Sequence, residues 1–254
     1  MATAYTKTSA RLMMSPAVVL LLIWMAVPLA MTIYYSFINY NLLMPGPHNF
    51  AGITNYWYFL TDPAFLQSIW NTLLLVLGVL LITIIGGVLL ALLMNAEFYG
   101  RNFVRLLVIA PFFVMPTVSA LVWKNMFMNP VNGLFAWIAH VFGLQALDWL
   151  AQVPLLSIII IVAWGWLPFA TLILLTALQS LDEDQKEAAE MDGAGAISRF
   201  VYITLPHLSR AITVVILIQT IFLLSVFAEI LVTTNGCPGT QSTNLTYLVY
   251  SQAL

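Results

Sequence analysis

The chain is 254 residues long, with 62% hydrophobic residues, 7% charged residues and a formal net charge of -2. Its mean hydropathy is +0.97. A water-soluble domain carries roughly 25% charged residues, so lipid must be the solvent for most of this chain. A basic stripe for nucleic acid is missing, and with the single cysteine Cys237 neither an intramolecular disulfide nor a cysteine-rich metal site can form.

About 20 apolar residues cross a bilayer, and five stretches qualify. They are residues 12–37, 70–93, 106–128, 154–178 and 211–234. The first follows Lys7 and Arg11 as a signal peptide would, but it is too long for an h-region and lacks a small-residue cleavage site. It therefore reads as an uncleaved helix. The fold class expected is an all-α membrane protein, a polytopic helix bundle forming one domain over 1–254.

Basic residues concentrate on one side of the membrane. With a cytoplasmic N-terminus, Lys7, Arg11, Arg101, Arg105, Lys186, Arg199 and Arg210 all lie inside, and only Lys124 falls toward the outside. Lys124 reads as an interfacial anchor that snorkels. Segment 38–69, with Pro45, Gly46, Pro47 and Pro63, reads as an outer loop with interfacial Tyr56, Trp57 and Tyr58. Segment 129–153, with Trp137, Asp148 and Trp149, reads as an outer segment with a short interfacial helix. Pro28, Pro111, Pro116 and Pro168 fall within spans, where kinks are tolerated if neighbours re-satisfy the backbone. Gly87 and Ala91 form a small-xxx-small pair suited to close helix packing.

One segment does not fit this pattern. Asp182, Glu183, Asp184, Lys186, Glu187, Glu190 and Asp192 crowd into the loop between the fourth and fifth spans. The stretch Glu183–Met191 is rich in helix formers, with Asp182 as N-cap and Gly193 as stop. On composition alone it could be a solvated connection. Its residue pattern is more specific: Glu187-Ala188-Ala189, then Asp192-Gly193-Ala194, then Ile203, Leu205 and Pro206.

That pattern resembles the EAA motif of ABC importer permeases, with every element at the family's spacing. Leu167-Pro168-Phe169, Leu178-Gln179-Ser180-Leu181, Gly52-Ile53, Asn55-Tyr56 and Asn71-Thr72 extend the resemblance over nearly the whole chain. Segments 10–14, 110–125 and 203–219 are similar to carbohydrate permeases related to the maltose transporter, and among these to sorbitol/mannitol permeases. The resemblance implies a type I importer fold, a core permease module over 68–254 and a cytoplasmic coupling-helix loop over 182–206. It implies a multi-pass protein of the bacterial inner membrane. Its partners would be a second permease subunit, an ABC ATPase dimer and an extracytoplasmic solute-binding protein. The transported solute would be a polyol or sugar. Such permeases have a final helix after the last outer loop, so a chain stopping at Leu254 is expected to be truncated before a sixth span.

No G-x-x-x-x-G-K-[ST] sequence is present. No cofactor is therefore expected in this chain, which would be a non-catalytic subunit, with ATP and Mg²⁺ held by the partner ATPase. In the coupling role, Ala188 and Ala189 keep one helix face small, Glu187 offers a carboxylate, and Gly193 permits a turn that a side chain would obstruct. For the substrate path the available residue types are Trp123, Asn125, Trp166, Gln219 and Ser225, each equally suited to helix packing. Glu229, placed in the outer part of the fifth span, could line the path or reach the interface. His48, His140 and His207 are too scattered for a metal site.

Competing readings make different demands. A secondary transporter needs its own coupling-ion site, and neither paired intramembrane charges nor an inverted repeat is visible. A membrane enzyme or assembly factor needs a nucleophile–base pair, which the charged loop lacks. A disaccharide, amino-acid or peptide importer would share the motif, and the wider match disfavours the last two.

Overall fold

The computed structural model describes residues 4–39 and 49–253. Pro45, Gly46, Pro47 and His48 lie outside the described residues. The chain divides into two compact units, one of residues 1–65 with 252–254 and one of residues 66–251.

In the first unit, α1 (Ala4–Ser36) is exposed along its candidate span. A short antiparallel pair follows, β1 (Ile38–Asn39) against β2 (Asn49–Phe50), and then α2 (Thr54–Thr61). The Gly52–Tyr56 segment has a physical role here. Gly52 takes φ +57 to turn the chain. Asn55 Nδ2 then donates to the carbonyls of Ser36 and Ile38, each at 3.0 Å. Tyr56 OH shares a 2.7 Å hydrogen bond with Ser36 Oγ.

The second unit is built on α3 (Pro63–Asn95), α8 (Pro154–Gln179) and α11 (Leu205–Leu223). Prolines open two of these helices, where the missing N–H costs nothing. One core layer joins Leu75, Val79, Ile158, Val162, Leu223 and Ile230; a second joins Val88, Ala91, Met94, Leu174, Leu178 and Leu208. At Gly87 a Cβ would lie 3.1 Å from Ala170 Cβ, so α3 and α8 meet closely where the small pair was read.

Among the described residues four helices are long and apolar enough to cross a membrane, or five if the bent pair of residues 101–127 is one span. That bend corrects the expected continuous helix over 106–128. The segment forms α4 (Arg101–Ile109), a 3₁₀ turn (Ala110–Phe113), α5 (Pro116–Val122) and a π turn (Trp123–Phe127), bent by 106°. The break lies at Val114 and Met115, both extended (ψ 127° and 141°). A residue before proline is pushed out of the helical region, and Pro116 also lacks the N–H needed to bridge back.

Segment 129–153 holds two short helices, α6 (Leu134–Val141) and α7 (Trp149–Gln152). On the opposite side lie α9 (Glu183–Met191), α10 (Ala196–Arg199) and a π turn (Phe200–Thr204) that runs into α11. The fifth span does not reach residue 234. It ends at Leu223, and α12 (Ala228–Thr233) is separate. Residues Leu245–Ala253 form α13, with Tyr247 and Leu248 buried.

Candidate functional site

The charged loop forms a helix with both ends closed by its own chain. Asp182 Oδ1 accepts from Asp184 N at 3.1 Å, and Glu183 and Asp184 place negative charge in the first turn. At the other end Gly193 takes φ +77. Its N–H donates to Glu190 O at 3.0 Å, and Ala194 N donates to Ala189 O at 2.9 Å. This paired closure satisfies carbonyls that would otherwise be left open. Arg199 forms an ion pair with Glu190, linking α9 to α10.

A helix so closed presents a defined surface to water. Glu187, Ala188, Asp192 and Gly193 are exposed, while Ala189 and Ala194 are half-buried. Met191 is 89% exposed and Ile197 81% exposed. These two large apolar side chains stand among charged and small residues on the loop. Of the I-x-L-P residues, Ile203 is half-buried and Leu205 and Pro206 are exposed. His207, next in sequence, ties the start of α11 to the end of α8: its Nε2 lies 2.9 Å from Ala177 O and 3.2 Å from Ser180 Oγ.

The six path residues do not form one cluster. Trp123 is buried with Met128, Ile161, Phe127 and Phe135, inside an outer packing layer. Asn125 is exposed and donates to Leu121 O of its own helix at 3.0 Å. Gln219 is fully buried; it accepts from Thr83 Oγ1 at 2.7 Å and donates to Trp166 O at 3.2 Å, joining α3, α8 and α11. Ser225 is exposed and donates to Phe222 O at 2.8 Å. Glu229 is buried on α12, beyond the end of the span that was expected to hold it.

Trp166 is the member that gathers neighbours. Phe222 lies 5.3 Å from it, Phe169 5.6 Å and Phe112 6.2 Å, between ring centres, and Phe112 stacks on Phe169 at 6.0 Å. Phe112 and Phe222 are exposed. Three separate helical segments thus present aromatic rings at the middle of α8. None of Phe112, Phe169 and Phe222 was read from sequence as a path residue, and Phe112 lies on the segment bent at Val114 and Met115.

The end of α3 that carries Asn71 is held by a buried polar knot. Asn71 Nδ2 donates to Thr240 O at 2.8 Å and to Thr243 O at 2.9 Å, and Thr72 Oγ1 accepts from Leu245 N at 3.0 Å. Asn244 Nδ2 donates to Val226 O at 2.6 Å while its Oδ1 accepts from Tyr247 N at 2.8 Å. Lys124 also bonds to α12. Its Nζ donates to Val232 O at 3.0 Å and Thr233 O at 2.9 Å, at the C-terminal end of α12.

Known proteins are similar to this chain in sequence and in fold. Residues 83–250 match the family described as "Binding-protein-dependent transport system inner membrane component". The chain is 35% identical over 238 residues to the probable ABC transporter permease protein y4oQ of Sinorhizobium fredii, covering 93% of this chain and 77% of that protein. It is 33% identical over 243 residues to the trehalose/maltose transport system permease protein MalF of Thermococcus litoralis, covering 94% and 81%. Among solved structures it superposes, with a TM-score of 0.76 and 25% identity, on a chain of a bacterial ABC transporter involved in the import of the acidic polysaccharide alginate, covering 98% of this chain and 85% of that one.

Proposed function

The chain belongs to the family of binding-protein-dependent transport system inner membrane components, and from that premise we propose that it is the permease subunit of an ATP-driven carbohydrate importer. Its fold is that of an ABC importer permease. A second permease subunit completes the pathway, a solute-binding protein delivers the substrate from outside, and two ATPase subunits bind and hydrolyse ATP with Mg²⁺. The N-terminus and α9 lie on the cytoplasmic side, as the distribution of Lys and Arg requires.

The observation that supports this reading best is α9 itself. It is closed at both ends by its own residues, yet displays Met191 to water, with Ile197 of α10 exposed beside it in sequence. Seated on the ATPase, it would move as a rigid lever. Its motion would pass directly into α8, which ends three residues before it begins, and into α11 through the π turn. ATP-driven closure of the ATPases favours one orientation of the spans and release favours the other. Only such a difference in affinity between states can drive the exchange.

For the substrate, the aromatic group of Phe112, Trp166, Phe169 and Phe222 supports a carbohydrate. Aromatic faces cover the C–H faces of sugars, and polar edges then need only a few hydrogen bonds. The finer assignment is a polyol, sorbitol or mannitol, from the resemblance of segments 10–14, 110–125 and 203–219. A disaccharide is the second reading, favoured by the trehalose/maltose relative. Uptake of labelled sorbitol, mannitol, trehalose and maltose, in cells with and without the gene and with ATP depleted, separates them. Loss of polyol uptake alone supports the first; loss of disaccharide uptake alone replaces it with the second. Uptake that persists without ATP overturns the importer reading.

A further inference from the structure

Trp166 belongs to α8 and Phe222 to α11, and their ring centres lie 5.3 Å apart at 37°. The backbone of α8 is weakened at this point. Pro168 lies inside the helix, and a proline has no N–H, so Trp164 O loses its helical donor. Gly165 follows Trp164, and a Cβ there would meet nothing within 4 Å. One amide joins three helices at this level. Gln219 of α11 and Thr83 of α3 are both fully buried. Gln219 Nε2 donates to Trp166 O at 3.2 Å, and Thr83 Oγ1 donates to Gln219 Oε1 at 2.7 Å. Chemistry fixes these directions: a carbonyl only accepts, so the amide nitrogen must face Trp166 O and the amide oxygen must face Thr83. Leu80 O, the other acceptor within reach of Thr83, is further off at 3.3 Å. Phe222 lies less than one helical turn beyond Gln219. Trp166 is half-buried, and its indole N–H has no acceptor among the described residues.

We propose that Gln219 is a positioning residue for the solute site: its amide, braced by Thr83, pins the Trp166 backbone to α11, sets the spacing of Trp166 and Phe222, and leaves the indole N–H free for a hydroxyl of the transported sugar or polyol. Gln219 does not touch the solute, because its side chain is fully buried and both polar atoms of its amide are used inside the protein. A buried amide between helices is held firmly, since water cannot compete for its partners. A site pre-organised in this way binds without first having to order its rings. The inference rests on the aromatic group being the carbohydrate site proposed above.

Fluorine NMR of the assembled transporter, labelled with 5-fluorotryptophan, tests this together with binding of radiolabelled sorbitol and trehalose to the complex without its binding protein. The Trp166 resonance is the one missing from Trp166→Phe. Gln219→Leu is expected to move that resonance and to weaken solute binding about five- to tenfold. Thr83→Val removes the brace but keeps the bond to Trp166 O, and is expected to move the resonance less and weaken binding about two- to threefold. Thr83→Ser keeps the hydroxyl and is expected to match wild type. Should Gln219→Leu not assemble, Thr83→Val against Thr83→Ser carries the same test. Weaker binding with an unmoved Trp166 resonance would make Gln219 a direct solute contact, and a moved resonance with unchanged binding would make it a structural tie alone; either result overturns the proposal. Trp166→Ala keeps the two readings apart. If it binds both solutes as wild type does, or if wild type binds neither, the aromatic-site reading fails, while the resonance in Gln219→Leu still decides whether the amide holds Trp166.

Discussion

Gly193 and Gly236 adopt nearly the same left-handed backbone, φ +77 and φ +80, in opposite surroundings. A Cβ on Gly193 would meet nothing within 4 Å. A Cβ on Gly236 would lie 2.8 Å from both Thr243 Oγ1 and Tyr247 Cε1. The first glycine closes α9 in open water; the second turns the chain inside the packed outer segment between α12 and α13. Both are needed for backbone shape, but only Gly236 is also needed for space. The outer segment is a polar knot the chain completes by itself. The α9 turn is a finished shape with open space around it, as the proposed docking role needs.

Substitutions can break this comparison, beginning with the largest effect. Gly236→Leu combines left-handed strain of about 1–2 kcal/mol with overlap worth about 1–3 kcal/mol. It should lower the yield of folded protein and the midpoint of thermal unfolding in detergent; unchanged unfolding would remove the distinction between the two turns. Asn244→Leu removes two hydrogen bonds at a fully buried position. It leaves Val226 O and Tyr247 N unpaired, at about 1–3 kcal/mol each when water cannot reach them. Its unfolding midpoint should fall by an amount comparable to that of Gly236→Leu. Gly193→Trp should cost only the left-handed strain of about 1–2 kcal/mol, so the protein inserts and unfolds almost as wild type. Substrate uptake should nevertheless be lost, because the new side chain occupies space that the partner needs. Normal uptake by that variant would make α9 a solvated connection.

The same two regions explain what the sequence made legible. The bounds of α8 and α9, the Asp182 cap and the Gly193 stop follow from local chemistry: apolar length, a carboxylate before the helix and a glycine after it. The end of α11 does not. Residues 224–227 contain neither Gly nor Pro, and the helix stops because distant side chains take its carbonyls. Thr246 Oγ1 donates to Leu224 O at 2.9 Å, and Asn244 Nδ2 donates to Val226 O. That exchange moves Glu229 off the span and onto α12. Pro116 was visible as a kink, but the 106° bend also needed Val114 and Met115 both to become extended. Pro168 lies inside α8, yet that helix continues to Gln179. The difference is packing: Pro168 is buried and flanked by Ala170 and Thr171 against α3, whereas Phe113 and Met115 beside the break are exposed. Gln219 shows the same limit at the candidate site, since an amide type suited to a sugar is consumed by Thr83 and Trp166 O.

Cross-linking from α9 tests the central claim most directly. With Cys237, the only native cysteine, replaced by serine, Met191→Cys is introduced into the assembled transporter and treated with a short thiol-to-amine reagent. The account predicts a single adduct between this chain and the ATPase subunit, with a yield that changes when ATP is added. An introduced thiol that reacts freely with small thiol reagents but never joins the ATPase would contradict it.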